Sequence, residues 1–146
     1  MRDPSERQAS NRRLLRVRDA MDRSYADALD VEALARSAHL SRAHFIRSFR
    51  ETFGETPHRY LQRRRIERAM ALLREGDRPV TEICMEVGFS SLGTFSRTFH
   101  EIVGTTPTAY RALAVGRVQP GVLGCVAMRW DRPSSTSGEA AAGAGR

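Results

Sequence analysis

The strongest constraint on this chain is that it says one thing twice. The run "SAHLSRAHFIRSF" at 37–49 returns as "VGFSSLGTFSRTF" at 87–99. Phe45/Phe95, Arg47/Arg97, Phe49/Phe99, Gly54/Gly104, Thr56/Thr106, Pro57/Pro107 and Tyr60/Tyr110 share an offset of 50, which falls to 49 upstream of the serines before each pair. A repeat of this length, with matched starts and stops, describes two copies of one supersecondary unit.

Local signals give each copy the same parts. Asp30 is placed to cap a short helix, "VEALARSA", whose Val31, Leu34, Ala35 and Ala38 form one apolar stripe. After the break "HL", Ser41 caps "RAHFIRSFRETF", and Gly54 closes it at a left-handed position. Thr56 and Pro57 then open a longer helix that runs to Gly76, with Ile66, Ala69, Met70 and Leu73 on its buried side. In the second copy Ile83, Cys84 and Val87 answer Leu34, Ala35 and Ala38; Ser90 or Ser91 starts "LGTFSRTFHEIV", Gly104 stops it, and "TTPTAYRAL" opens another helix. Upstream, helical spacing begins at Arg12 with Leu14, Leu15, Met21 and Tyr25. The expected organisation is a flexible arm at 1–11, a first unit at 12–56, a linker helix at 57–76, a second unit at 77–115, and an extension at 116–146. In that extension the apolar run around Trp130 docks or forms a short strand, and the Gly/Ala/Ser tail is disordered.

Short helix, tight turn and second helix make a helix-turn-helix, whose second helix enters the DNA major groove. Residues four apart share a helix face, so Phe45 and Phe49 face a core. Arg47 lies about 200° from Phe45, flanked by Arg42, Ala43, Ile46 and Arg50 on a face open to DNA. Arg97 repeats that position beside Leu92, Gly93 and Ser96. A guanidinium there can pair with O6 and N7 of guanine, while Ala43, Ile46 and Leu92 can meet thymine methyls. Gly93 leaves the helix N-terminus, with its exposed N–H groups, near a phosphate. The intervening helix, about 28 Å at about 1.5 Å per residue, approaches the spacing of successive major-groove faces, about 34 Å. One molecule is therefore expected to fill two adjacent grooves of an asymmetric site.

Charge agrees with a polyanionic partner. The chain of 146 residues carries a formal +7, and all 24 basic residues are arginine. Residues 34–68 hold nine arginines against three glutamates, net +6, whereas 79–104 are net −2. The first unit is thus expected to supply most of the phosphate attraction, with Arg63 and Arg64 as phosphate contacts and Arg65 structural. Ser41, His44, Arg50, Ser91 and Thr94, at or near the starts of the two probe helices, complete the expected phosphate set.

The stretch "RRRIERAMALLREGDRPVTEICMEVGFSSLGTFSRTFHEIVGTTPTAYR" resembles the DNA-binding domain of AraC/XylS-family transcription regulators, and the likeness runs from about Arg12 to Arg111. The resemblance implies an all-α fold of seven helices: two homeodomain-like helix-turn-helix subdomains joined by a long linker helix. It places the base-reading positions on Arg42, Ala43, Ile46 and Arg47, and on Leu92, Gly93, Ser96 and Arg97. It further implies regulation of transcription in the cytoplasm, at the nucleoid, on double-stranded DNA and with RNA polymerase as partner. Monomer binding is compatible with two units in one chain. Most such regulators carry a further ligand-binding or dimerisation domain, so the expectation here is a small member or a fragment. Cys84 replaces the alanine usual at its position, a small-for-small change.

Other classes find little support. The four histidines stand in no metal-binding spacing, and the two cysteines form no CxxC, so no metal, cofactor or disulfide is expected. No constellation of nucleophile, base and acid indicates an enzyme, and no apolar stretch reaches membrane-spanning length. The rival reading is a helical adaptor that binds a protein partner with weakened DNA affinity, suggested by the acidic second unit.

Overall fold

The computed structural model describes residues 3–116. Among them lie seven helices: α1 (Pro4–Arg23), α2 (Val31–Ser37), α3 (Arg42–Phe53), α4 (Pro57–Glu75), α5 (Val80–Glu86), α6 (Leu92–Val103) and α7 (Pro107–Val115). The expectations for the apolar run around Trp130 and for the C-terminal tail fall outside the described residues.

Side-chain caps fix where α2, α3, α4, α6 and α7 begin. Asp30 accepts from the amide of Ala33 at 3.0 Å, Ser41 from His44 at 3.2 Å, Thr56 from Arg59 at 3.2 Å, Ser91 from Thr94 at 3.2 Å and Thr106 from Ala109 at 3.1 Å. Each bond satisfies a donor that the helix itself leaves orphaned. Ser91, not Ser90, is therefore the counterpart of Ser41, and Ser90 is the residue inserted in the second copy. At the far ends Gly54 (φ 82°) and Gly104 (φ 89°) take the left-handed conformation that stops α3 and α6.

The N-terminus departs from expectation. The sequence signals an arm up to Asn11, but α1 is helical from Pro4. Proline is preorganised for the first helical turn, and the Arg7 amide bonds the Asp3 carbonyl at 3.1 Å. Most of this first stretch is exposed, so it carries no apolar periodicity to betray it. The buried stripe of α1 is Leu14, Val17 and Met21, whereas Leu15 is 41% exposed and Tyr25 lies beyond the helix end.

The described chain forms two compact units, divided between Arg65 and Ile66. The division falls inside α4, so this helix is no free-standing linker: its first half belongs to one core and its second half to the other. In the first unit Leu14, Val17 and Met21 of α1 pack with Ala35, Ala38, Phe45, Phe49, Tyr60 and Leu61. In the second, Ile66, Ala69 and Leu73 are buried, as are Ile83, Cys84, Val87, Phe95, Phe99 and Tyr110.

Both helix-turn-helix corners are Schellman turns. In the first, the amides of His39 and Leu40 bond the carbonyls of Arg36 (3.0 Å) and Ala35 (2.9 Å). In the second, Gly88 and Phe89 bond Met85 (3.1 Å) and Cys84 (3.0 Å). The residue in the left-handed position is His39 (φ 59°) in one turn and Gly88 (φ 98°) in the other. Only the second turn has the residue without a Cβ penalty. Gly88→Ala is expected to lower the unfolding free energy by about 1–2 kcal/mol, while His39→Gly leaves it unchanged or raises it; urea unfolding of both variants checks the pair.

Candidate nucleic-acid interface

The repeat places its two probe helices alike. Phe45 and Phe49 on α3, and Phe95 and Phe99 on α6, are fully buried. On α3 this leaves Arg42, Ala43, Arg47 and Arg50 exposed, and on α6 Leu92, Gly93, Thr94 and Arg97. Leu92 keeps 44% of its surface in solvent, an apolar group held at the start of a probe helix. Around Gly93 the position of an added Cβ would meet only the Ser91 hydroxyl, at 3.7 Å, so the backbone there is open to close approach.

Two expected reading positions are less free than helical projection implies. Ile46 is half-buried and packs against the first core, so only its edge can reach a base. Ser96 is likewise half-buried. A reading face is narrower than the arc opposite the phenylalanines, because α3 and α6 are gripped on their flanks as well. Arg42 pairs with Glu32 on α2 at 3.1 Å, both groups being well exposed. Such a pair is weak and easily exchanged for a phosphate or a base. Ser41 and Ser91 serve as caps, and His44 is half-buried behind the Ser41 cap.

The arginine run of α4, including the expected phosphate contacts Arg63 and Arg64, is engaged inside the first unit. Arg63 donates through Nε and Nη2 to Glu55 Oε1 at 2.9 and 2.7 Å and lies over the Tyr60 ring. Arg64 Nε donates to Asp22 Oδ1 of α1 at 3.0 Å. Arg65, expected to be structural, donates to the carbonyls of Tyr25 and Asp27, both at 2.6 Å, and burial lowers its pKa. Acidic and carbonyl acceptors on neighbouring segments thus occupy the run. By contrast, Arg47 and Arg50 on α3, Arg97 on α6, and Arg12, Arg16 and Arg23 on α1 are exposed, with no such partner among the described residues.

Asp22 also holds the buried ring that braces α3. Tyr60 donates its hydroxyl to Asp22 Oδ1 at 2.7 Å. Burial, followed by this hydrogen bond and the Asp22 charge, pushes the Tyr60 pKa up to about 12 from 10.0. A pKa raised in the folded state means stability that is complete below pH 10 and lost as pH rises toward 12. Unfolding monitored by circular dichroism is expected to show this alkaline loss in the parent protein and less of it in Tyr60→Phe.

The second unit uses arginine differently. Arg74 Nη1 donates to the Tyr110 hydroxyl at 2.5 Å, Arg111 bonds the carbonyls of Leu73 (3.3 Å) and Arg78, and Arg78 pairs with Glu86. Burial raises the Cys84 thiol pKa, which leaves it a core residue with little thiolate. Among the described residues no group of three His, Cys, Asp or Glu side chains could hold a metal ion, and no helix is long and apolar enough to cross a membrane.

Two capped units, each presenting a second helix by its open face, define a helix-turn-helix protein. Residues 34–113 match the family model described as a helix-turn-helix domain. The MmsAB operon regulatory protein of Pseudomonas aeruginosa is 35% identical over 83 residues, covering 57% of this chain and 27% of the relative. A solved structure of the DNA-binding domain of AdpA, a global transcriptional factor, in complex with a target DNA, is 33% identical with a TM-score of 0.68. That match covers 74% of this chain and 97% of the AdpA domain. An AraC-type regulator of Chromobacterium violaceum is 28% identical with a TM-score of 0.68, over 77% and 97% of the two chains. The chain belongs to the AraC/XylS family of helix-turn-helix transcriptional regulators. It spans about a third of the length of the curated relatives it matches.

Proposed function

We propose that this regulator recognises DNA sequence by placing α3 and α6 in successive major grooves of one asymmetric site. The observation that carries the reading is the duplicated, capped probe helix: an exposed arginine, Arg47 or Arg97, opposite a fully buried phenylalanine pair. The likeness to the AdpA domain in its DNA complex supports it and disfavours the adaptor reading. Base readout falls to Arg42, Ala43, Arg47 and the edge of Ile46 on α3, and to Leu92, Gly93, Arg97 and the edge of Ser96 on α6. Because these two sets differ, the two half-sites differ. The phosphate contacts are Arg50, His44, Thr94 and the cap hydroxyls of Ser41 and Ser91, which can still donate a proton; Arg63 and Arg64 leave the set. Bound near a promoter, such a protein meets RNA polymerase, its expected second partner, in the cytoplasm.

Selection of bound duplexes from a random pool is expected to return one extended, non-palindromic motif spanning two grooves; a motif confined to a single groove would overturn the two-helix reading. Arg47→Ala and Arg97→Ala should each relax preference at one position, by about 1–3 kcal/mol, at opposite ends of the motif. In titrations across salt, Arg50→Ala should reduce the log–log slope by about one, while Arg63→Ala leaves it in place.

A further inference from the structure

We infer that the outward face of α1 is a second, sequence-independent DNA contact, so that one molecule can hold two duplex segments at once. The inference rests on the proposed DNA-reading role of α3. At 3.6 residues per turn, Arg12, Arg16 and Arg23 lie about 160°, 200° and 180° from buried Leu14, on the face of α1 turned away from the core. All three are exposed, and none of their guanidinium groups is paired among the described residues. Asp19, exposed on the same face, leaves the stripe at net +2. The stripe extends about 16 Å along the helix at about 1.5 Å per residue.

Its direction follows from burial within the first unit. Leu14, Val17 and Met21 of α1 and Phe45 and Phe49 of α3 belong to one core cluster. Both helices turn their buried faces toward that shared cluster. The outward face of α1 and the reading face of α3 are each opposite to it, so they address different sides of the unit. A short duplex read by α3 is therefore not the one that meets the α1 stripe. Arginine forks match phosphate oxygens, and the stripe has no large apolar side chain at its centre, Leu15 standing at its margin. Protein interfaces need such an anchor, whereas the phosphate backbone does not.

The test anchors a duplex carrying the selected motif to a surface, loads the full chain, and then adds a labelled duplex of unrelated sequence at low salt. The parent protein is expected to capture the second duplex, with a log–log salt slope of about −3 for three phosphate contacts. R12Q/R16Q/R23Q should stay on the anchored duplex with unchanged affinity and capture at least tenfold less of the second one. Glutamine has nearly the helix propensity of arginine, and matching circular dichroism and unfolding midpoints confirm that α1 is retained. Equal capture by parent and variant, as bridging through a dimer of reading helices would give, overturns the inference. So does failure of the parent protein to capture the second duplex while it holds the first. Loss of the anchored duplex by the parent protein would instead sink the reading of α3 on which the inference stands.

Discussion

Everything the two probes can do depends on one contact made twice. The second phenylalanine of each probe helix meets the tyrosine of the following helix edge to face: Phe49 and Tyr60 at 5.7 Å and 74°, Phe99 and Tyr110 at 5.7 Å and 67°. The phenylalanine pairs repeat equally well, at 5.8 Å in both helices. A ring trio of this kind buries a large apolar area in a defined orientation. It fixes the roll of the probe helix about its own axis, and that roll decides whether Arg47 or Arg97 faces outward.

Around this constant trio the two cores are filled in complementary ways. The first unit has Leu40 before its pair and Phe53 after it, and Phe53 packs on Phe49 at 4.6 Å under the Arg18 guanidinium. The second has Phe89 before its pair, 5.3 Å from Phe95, and Val103 after it. The extra ring has changed sides, which keeps the apolar content to within one methylene group while altering shape. Each tyrosine hydroxyl finds a different partner as well: Asp22 accepts from Tyr60, whereas Arg74 donates to Tyr110. One fold is thus stabilised twice by chemistry that agrees only at its centre.

The repeat, the caps and the phenylalanine periodicity made most of the fold legible in the sequence, because each is a local signal with a local cause. Ser41, Ser91, Thr56 and Thr106 all cap the helices they announce. What escaped local reasoning was solvent-facing or tertiary. The first turns of α1 bury almost nothing, so no periodicity marks them, although residues 4–11 are helical. Leu15 and Ile46 are apolar residues at the edge of a stripe, where spacing alone does not say how closely a neighbour packs. For the site, the exposed positions Arg42, Ala43, Arg47, Leu92, Gly93 and Arg97 follow from helix geometry. The partners of Arg63 and Arg64 do not, since Asp22 is 42 residues from Arg64 in sequence.

A chain whose only basic residue is arginine cannot separate structural from nucleic-acid cations by residue type, so position has to do it. Where an arginine stands beside a carboxylate or carbonyl that the fold has already fixed, as Arg63 to Arg65 do, ordering it costs little further entropy and the guanidinium becomes part of the core's edge. On the outward faces of α1 and α3, Arg12, Arg16, Arg23 and Arg47 make no such bond among the described residues, and the same side chain remains a hydrated cation. Net charge along the sequence therefore counts alike the arginines of α4, which the fold engages, and those of α1 that stand exposed. The same selection acts on α3 and α6: Arg47 and Arg97 stay outward because the phenylalanines on their far side are held, and neither guanidinium is paired among the described residues.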